Sequence, residues 1–221
     1  MKHGFKITRI AHLTLCLVAL LTTATTAVGS PQKPDWKRHY TTAQSLFESE
    51  NWAAAVVEIK KARATVPAFE EGVNQRLLYM EAVCGVHTGS RDALDALQLL
   101  LDRHPNSIYN NDVRFYIGTL LYNQGKYTDA LQNLLAVNPF ELSSDNAEEY
   151  YFKTGHACFE TGDYKEARSW LGLVPEKSIY QPHAQYYLGY IDYTEGNYKS
   201  AGERFSSLAK VNPYAKIIPL Y

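Results

Sequence analysis

Apolar residues recur along this 221-residue chain in a pattern typical of amphipathic helices. Five alanines are each followed by a larger apolar residue four positions later and by another apolar residue seven positions later. The five triplets are Ala55-Ile59-Ala62, Ala93-Leu97-Leu100, Ala130-Leu134-Val137, Ala167-Leu171-Val174 and Ala201-Phe205-Leu208. Offsets of four and seven place the three side chains of a triplet on one helix face. Each triplet therefore predicts a helix with one buried face, and prolines five residues later predict three of the helix ends: Pro67, Pro105 and Pro213.

A second helical stretch precedes each triplet. Twelve residues before the alanine, the last three copies carry a glycine: Gly118, Gly155 and Gly189. A glycine inside a helix costs about 1 kcal/mol relative to alanine, so we interpret its recurrence as close approach of the partner helix. Ala43 takes this position in the first copy, whereas Glu81 in the second copy does not fit.

The turns between the two helices of a copy carry their own signals. Glycines stand where the first helix must end and the chain reverse: Gly125, Gly162 and Gly196. Asp163 with Glu166 predicts a capping pair at the start of a second helix. Asp145 with Glu148 predicts the same at the start of a first helix.

The alanines of the five triplets are spaced 38, 37, 37 and 34 residues apart, which predicts five helix–turn–helix units. The last three copies resemble the tetratricopeptide repeat (TPR) family in their glycine, in the aromatic residue after the turn and in their alanine. The matching sets are Ile117-Gly118 with Tyr127 and Ala130, Gly155 with Tyr164 and Ala167, and Leu188-Gly189 with Tyr198 and Ala201. The resemblance implies an all-α fold, a right-handed α-solenoid of about five repeats.

The repeats define the predicted domain organisation. We place them at residues 37–68, 73–105, 110–139, 146–176 and 181–213, within a solenoid of residues 37–213 that follows a linker of residues 30–36. Segment 214–221 is apolar and predicts the start of a further, truncated repeat. The chain therefore resembles the N-terminal part of a large secreted bacterial TPR protein, although another chain could also complete the stack.

Residues 1–29 have the composition of a secretory signal peptide. Lys2, Lys6 and Arg9 precede an apolar run from Ile10 to Leu21, and small residues follow up to Gly29. Cleavage after Ala27 or after Gly29 would satisfy the preference for small residues. The alternative is an uncleaved anchor, but a membrane-spanning helix needs about 20 apolar residues. We expect an exported protein that is periplasmic or associated with the outer membrane.

Charge and composition narrow the possible partners. Without residues 1–29, 19 basic and 23 acidic residues remain, so the formal net charge falls from −1 to −4. This charge argues against nucleic acid as a partner. A role for a membrane is expected only through export or association with the cell envelope.

The sequence offers little for catalysis. It contains no zinc-protease helix motif, no paired Cys-x-x-Cys, no phosphate-binding glycine loop and no Gly-x-Ser-x-Gly elbow. We expect no catalytic residues, no metal and no cofactor. Cys84 and Cys158 are predicted to lie two repeats apart at equivalent helix positions, too far from each other for a disulfide bond.

Aromatic residues are the most informative feature of the first helices. Two rows, seven residues apart in each copy, consist of Tyr40, Leu78, Phe115, Phe152 and Tyr186, and of Phe47, Gly85, Tyr122, Phe159 and Tyr193. His156 and Tyr190 lie between the rows, and the TPR resemblance places this face in the concave groove. The predicted partner-binding residues are Phe115, Tyr122, Phe152, His156, Phe159, Tyr186, Tyr190 and Tyr193. The alternative is that the rings fill gaps between adjacent helices, and we favour the groove for the three tyrosines of the last copy.

These observations favour a non-catalytic scaffold that binds a protein or peptide partner in an aromatic groove. One alternative is a substrate-docking or regulatory arm of a larger envelope enzyme. Another is a module that binds cell-wall glycan, because aromatic rings also stack on sugars.

Overall fold

Ten α-helices and one short 3₁₀-helix make up residues 35–210, which are the residues described by this computed structural model. The predicted signal peptide and the predicted truncated repeat lie outside these residues. No strand occurs within residues 35–210, so the expected all-α architecture is confirmed there. The helices are α1 (Asp35–Glu48), α2 (Trp52–Thr65), α3 (Glu71–His87), α4 (Ala93–Arg103), α5 (Asn110–Asn123), α6 (Tyr127–Leu134), α7 (Ser144–Glu160), α8 (Tyr164–Leu171), α9 (Gln181–Thr194) and α10 (Tyr198–Leu208), with the 3₁₀-helix at Pro139–Glu141.

The helices form five hairpins that stack in chain order. In four of the five hairpins the first helix packs most extensively against the second helix of the same hairpin; the exception is α3, which packs slightly more against α2 than against α4. Successive odd-numbered helices also contact each other. Buried residues accordingly form clusters that join neighbouring hairpins, and the largest cluster contains Leu97, Leu134 and Tyr150. A hairpin cannot bury its own apolar face, so its neighbours bury it by stacking.

One residue with positive φ reverses the chain inside each hairpin. Glycine takes this position in four hairpins, with φ from 69° to 84°, and Glu50 takes it in the first with φ 58°. Seven residues earlier stands a small residue in all five hairpins: Ala43, Ala82, Gly118, Gly155 and Gly189. Assigning Glu81 to this position was therefore wrong. The turn of the second hairpin is one residue shorter, because Gly89 precedes Ala93 by four residues whereas Gly125 precedes Ala130 by five.

The small residues allow the two helices of a hairpin to approach closely. A Cβ atom added to Gly118 would lie 2.6 Å from Leu134 Cγ, and one added to Gly155 would lie 2.7 Å from Leu171 Cγ. Gly189 faces the ring of Phe205 in the same way, at 2.8 Å. The interpretation of these glycines as contact points inside the hairpin is confirmed.

Several predicted helix boundaries differ from the structure. Helix α6 ends at Leu134 and α8 at Leu171, so Val137 and Val174 are buried beyond the helix ends and not on a helix face. Prolines at positions 139 and 175 prevent these helices from extending through residues 138 and 174, because the residue before a proline disfavours the helical conformation. Helix α1 begins at Asp35, inside the predicted linker, where its carboxylate lies 3.0 Å from the Arg38 guanidinium.

One predicted capping pair is confirmed and the other is wrong. The Glu166 N–H donates to Asp163 Oδ1 at 3.1 Å at the start of α8. Helix α7 is capped instead by Ser143, whose hydroxyl accepts from the Asn146 N–H at 3.3 Å. Ser143 is the cap because the helix begins at Ser144, one residue before Asp145.

Cys84 and Cys158 are both buried and free. Counted from the turn glycines, they are not at equivalent positions, since Cys84 lies five residues before Gly89 and Cys158 lies four before Gly162. Burial raises the pKa of each thiol to about 11, so both remain protonated at neutral pH and pack as small apolar groups. Within residues 35–210, no helix combines the length and apolar character needed to cross a membrane.

Candidate functional site

Aromatic rings pair across the turn in four of the five hairpins. The last turn of the first helix supplies one ring, and the start of the second helix supplies the other, five residues later. The pairs are Phe47–Trp52, Tyr122–Tyr127, Phe159–Tyr164 and Tyr193–Tyr198, with ring centroids 5.2, 5.6, 5.3 and 5.4 Å apart. The second hairpin has Arg91 in its shorter turn and no such pair, but His87 stacks on Trp52 of the first hairpin at 4.1 Å.

Around His156, aromatic side chains of α5, α6, α7 and α9 meet in one cluster. The hydroxyl of Tyr122 lies 2.6 Å from His156 Nδ1, and Glu160 lies 3.0 Å from His156 Nε2. The rings of Tyr187 and Phe152 lie 4.2 and 5.9 Å from the imidazole ring. These contacts join three successive hairpins.

His156 and Tyr122 are held in their neutral forms. Burial lowers the pKa of His156 below its ordinary value, although Glu160 acts in the opposite direction. Burial also raises the pKa of the Tyr122 hydroxyl. Lys153 carries the nearby positive charge: its Nζ lies 2.6 Å from Glu149 and 5.1 Å above the ring of Tyr122. The cluster therefore contributes packing and hydrogen bonding, and its buried histidine is uncharged at neutral pH.

Three residues assigned to the groove from the sequence are buried. Phe115, Phe152 and His156 are only 1%, 8% and 7% exposed. Phe115 belongs to the largest core cluster, and Phe152 stacks on Tyr180 at 5.2 Å. Their rings fill the space between adjacent helices, so they offer no free face to a partner in this structure.

The tyrosines of the last hairpin are placed differently. Tyr190 and Tyr193 are 42% and 52% exposed, and Tyr198 beside them is 65% exposed. We call these three residues the tyrosine patch. Among residues 35–210, the hydroxyls of Tyr190 and Tyr193 make no hydrogen bond.

Position in the stack explains this exposure. Counted from the turn glycines, Tyr190 and Tyr193 correspond to His156 and Phe159 of the preceding hairpin. The next odd-numbered helix covers those two residues through Tyr187, whose ring lies 4.2 Å from His156 and 4.9 Å from Phe159. No helix follows α10 within the described part of the chain. The tyrosine patch is therefore the aromatic face that a neighbouring hairpin covers elsewhere.

The remaining predicted residues are half-buried. Tyr122 and Phe159 take part in the turn pairs, and the edge of Phe159 reaches Tyr190 with ring centroids 5.4 Å apart. Tyr186 points instead toward its own hairpin, where it packs near Phe205 and Leu208. The structure thus brings Phe159, Tyr190 and Tyr193 together with Tyr198, and it leaves Tyr186 apart from them.

Sequence reasoning missed Tyr198, Tyr187 and Tyr79 as members of the aromatic system. The five-residue spacing across the turn could have identified Tyr198 as the partner of Tyr193. Tyr79, rather than Leu78, takes the first-row position once the shorter turn is allowed for; it stacks on Tyr109 at 4.4 Å and donates a hydrogen bond to Asp112 at 2.8 Å. Within residues 35–210, no three histidine, cysteine or acidic side chains come together as a metal site.

Comparisons with known proteins identify what this chain resembles. The Tetratricopeptide repeat model matches twice, at residues 86–139 and 117–182. No curated protein matches the sequence.

Several solved structures share the fold, among them two of MamA and one of YrrB. The structure titled MamA AMB-1 is 16% identical, with a TM-score of 0.63, and the match covers 80% of this chain and 99% of that one. MamA from Desulfovibrio magneticus RS-1 is 17% identical, with a TM-score of 0.59 and coverage of 80% and 94%. YrrB, described as a TPR protein with an unusual peptide-binding site, is 21% identical, with a TM-score of 0.60 and coverage of 82% and 89%. Identities this low establish similarity of fold alone.

Proposed function

Because this chain carries tetratricopeptide repeats, we propose that it is a non-catalytic scaffold that binds a helix or an extended segment of a partner protein on the tyrosine patch. The exposure of Tyr190 and Tyr193, at 42% and 52%, carries the proposal. Each tyrosine offers an apolar ring with a hydroxyl free to bond to a partner backbone, and such residues are enriched at interfaces. The peptide-binding site described for YrrB supports the same general use of the fold.

The surface is smaller than the groove expected from the sequence. Phe115, Phe152 and His156 support it from inside the stack, the half-buried Phe159 borders it, and the tyrosine patch forms the exposed aromatic surface. Binding then requires little ordering of the scaffold, because stacked helices already fix the positions of the rings.

Alanine substitutions separate the supporting rings from the binding rings. We expect Tyr190→Ala with Tyr193→Ala to change the melting temperature by less than about 2 °C, because surface side chains contribute little to stability. We expect Phe152→Ala to lower the free energy of unfolding by about 3 kcal/mol, because it leaves a cavity. Thermal and urea denaturation of the three proteins measure both effects.

A photo-crosslinking amino acid tests the binding itself. Placed at Tyr193 in the living cell, it should yield one discrete protein adduct, whereas at the exposed Glu166 of α8 it should yield none. Adducts of equal yield at both positions would contradict binding at the tyrosine patch. A glycan adduct at Tyr193 would instead favour the cell-wall alternative.

We also propose that the protein is exported and acts in the periplasm or at the outer membrane. The proposal rests on the basic start, the apolar run and the small-residue end of residues 1–29. An exported scaffold would support assembly of envelope complexes, and a docking arm of a larger envelope enzyme would use the same surface.

A further inference from the structure

A cavity of about 470 Å³ lies between α2, α3 and α4, away from the tyrosine patch. Its walls come from the second helices of the first two hairpins and from the first helix between them. Small and apolar side chains form part of its wall: Val56, Leu78, Ala82, Gly85, Ala93 and Ala96. The cavity falls within the usual size range of binding pockets.

Two residues open this cavity, and both are smaller than their counterparts in every other hairpin. Gly85 lies four residues before the turn residue, where the other hairpins carry Leu46, Leu121, Cys158 and Asp192. Ala96 lies three residues after the triplet alanine, where the others carry Glu58, Asn133, Trp170 and Arg204. The second hairpin therefore lacks two side chains that occupy this region elsewhere.

The fourth hairpin shows what fills the corresponding space. Trp170, the counterpart of Ala96, stacks on Tyr151 with ring centroids 6.5 Å apart and an interplanar angle of 23°. Tyr151 corresponds to Leu78, and Leu131, which corresponds to Val56, packs in the same cluster. The space between α2, α3 and α4 thus matches a site that an indole ring occupies two repeats later.

Charged side chains at the cavity rim would lie next to the exposed part of a bound ligand. Lys60, Arg63 and Arg103 line the end of the cavity nearest the loops that join the hairpins. Arg63 pairs with Glu81, whereas Lys60 and Arg103 make no ion pair with any residue of the range 35–210. Asp92 lies at the opposite end, beside the turn.

Polar side chains also line the cavity, namely Glu81, Thr88, Ser90, Asp92 and His104. Glu81 pairs with Arg63, and the Thr88 hydroxyl donates to the Cys84 carbonyl at 2.8 Å. A ligand group that contacts Val56, Leu78 and Ala96 meets apolar side chains that offer no hydrogen bond. An apolar group suits this part of the cavity best, because a polar group would lose its hydrogen bonds to water there.

We propose that this cavity receives an aromatic side chain, of tryptophan size, from an acidic segment of a partner protein. The ring inserts beside Ala96 and Gly85, where Trp170 and Tyr151 meet in the fourth hairpin. Acidic residues flanking the ring face Lys60 and Arg103. The peptide backbone stays at the solvent-exposed rim, where its polar groups remain hydrated. A deeply inserted aromatic ring is a common anchor of protein interfaces.

A labelled peptide of twelve residues tests the proposal. The probe carries one tryptophan between runs of glutamate and has blocked ends, and fluorescence anisotropy measures its binding to the full chain. Replacing its tryptophan with alanine should weaken binding at least tenfold. Replacing its glutamates with lysines should also weaken binding, and Lys60→Glu with Arg103→Glu should reverse that preference.

Ala96→Trp fills the cavity with the side chain found in the fourth hairpin, so it should abolish binding of the glutamate peptide without lowering the melting temperature. Gln98→Trp is the matched control, because Gln98 lies on the same helix but not at the cavity, and it should bind like the wild type. If Ala96→Trp does not fold, Ala96→Leu gives the same comparison with a smaller side chain.

The proposal is wrong if the glutamate peptide does not bind, if the folded Ala96 variant binds it as tightly as the wild type, or if the lysine peptide binds equally well. Tyr190→Ala with Tyr193→Ala should leave this binding unchanged. An absence of binding at the cavity can therefore be distinguished from an absence of binding at the tyrosine patch.

Discussion

Single residues set the register of each hairpin. The turn needs a residue with positive φ, which glycine adopts without strain, and a small residue stands seven residues, or about two helical turns, earlier. Glu50 is the non-glycine residue with positive φ among residues 35–210, and Gly89 defines the shorter turn of the second hairpin. Counted from Gly89 rather than from Ala93, Ala82 takes the position of the helix contact and Gly85 takes the position four residues before the turn.

Adding one methyl group at the helix contact should destabilise the chain. A Cβ atom on Gly155 would lie 2.9 Å from the Leu171 backbone nitrogen, and backbone cannot move aside as a side chain can. We expect Gly155→Ala to lower the free energy of unfolding by about 1–3 kcal/mol, the usual cost of overpacking. Urea denaturation measures the change.

Gly202 provides the matched control. It lies inside α10, and an added Cβ atom would meet nothing within 4 Å. Gly202→Ala should therefore raise the free energy of unfolding by about 0.5–1 kcal/mol, through the higher helix propensity of alanine. If Gly155→Ala instead raised the free energy of unfolding, the interpretation of Gly155 as a close contact between helices would be wrong.

At the scale of helices, Asp192 of α9 ties α8 and α10 to its own helix. It is 2% exposed and accepts hydrogen bonds from Arg168 at 2.7 Å, Ser200 at 2.7 Å and Arg204 at 2.8 Å. Arg168 also pairs with Glu195 at 2.6 Å. A buried carboxylate is tolerated here because three donors satisfy its oxygens.

This network should make stability depend on pH. Burial by itself would raise the pKa of Asp192, but the three hydrogen bonds outweigh burial and hold its pKa below the ordinary value. The unfolded chain then takes up the proton first, so the stability contributed by Asp192 is present above pH about 4 and is lost as the pH falls below it. Asp192→Asn should cost about 2–3 kcal/mol at pH 7.

Urea denaturation between pH 7 and pH 3 measures the free energies of unfolding of the wild type and of Asp192→Asn, and their difference tests this prediction. The difference should shrink as the pH falls. Asp129→Asn is the control, since Asp129 is exposed and its carboxylate makes no hydrogen bond with residues 35–210. A difference that stays constant across this pH range would show that the charge of Asp192 contributes nothing to stability.

At the scale of the whole molecule, stacking creates more than one kind of surface. Aromatic rings are buried wherever one hairpin follows another, and they are exposed at the tyrosine patch. The cavity arises between the first two hairpins, where small residues leave the stack incompletely filled. The same repeat thus yields a packed core, an exposed aromatic face and a pocket, depending on its neighbours.

Export is the prediction that concerns the whole chain. The protein isolated from its native cells should begin at Val28 or Ser30, after cleavage behind Ala27 or Gly29. Amino-terminal sequencing of protein from fractionated cells measures both the start and the compartment. Recovery of a chain that begins at Met1 in the cytosolic fraction would contradict export.

The sequence by itself determined the helices, their pairing and the face on which they meet. The spacing of Ala130 and Leu134 predicts the helix, and the position of Gly118 predicts the close contact. Both can be recognised in the sequence because they depend on residues that are close to each other in the chain. The one-residue change at Gly89 was not recognised, because a short turn leaves the apolar pattern on either side intact.

Only the tertiary structure decided which aromatic rings are available. Phe159 and Tyr193 take equivalent positions in the repeat pattern, yet Tyr187 of the next odd-numbered helix packs against Phe159 whereas Tyr193 is exposed. Solvent exposure depends on what packs against a residue, and residues far away in the chain supply those contacts. The cavity beside Ala96 has the same origin, because an absent side chain matters only where several helices enclose the space that it leaves.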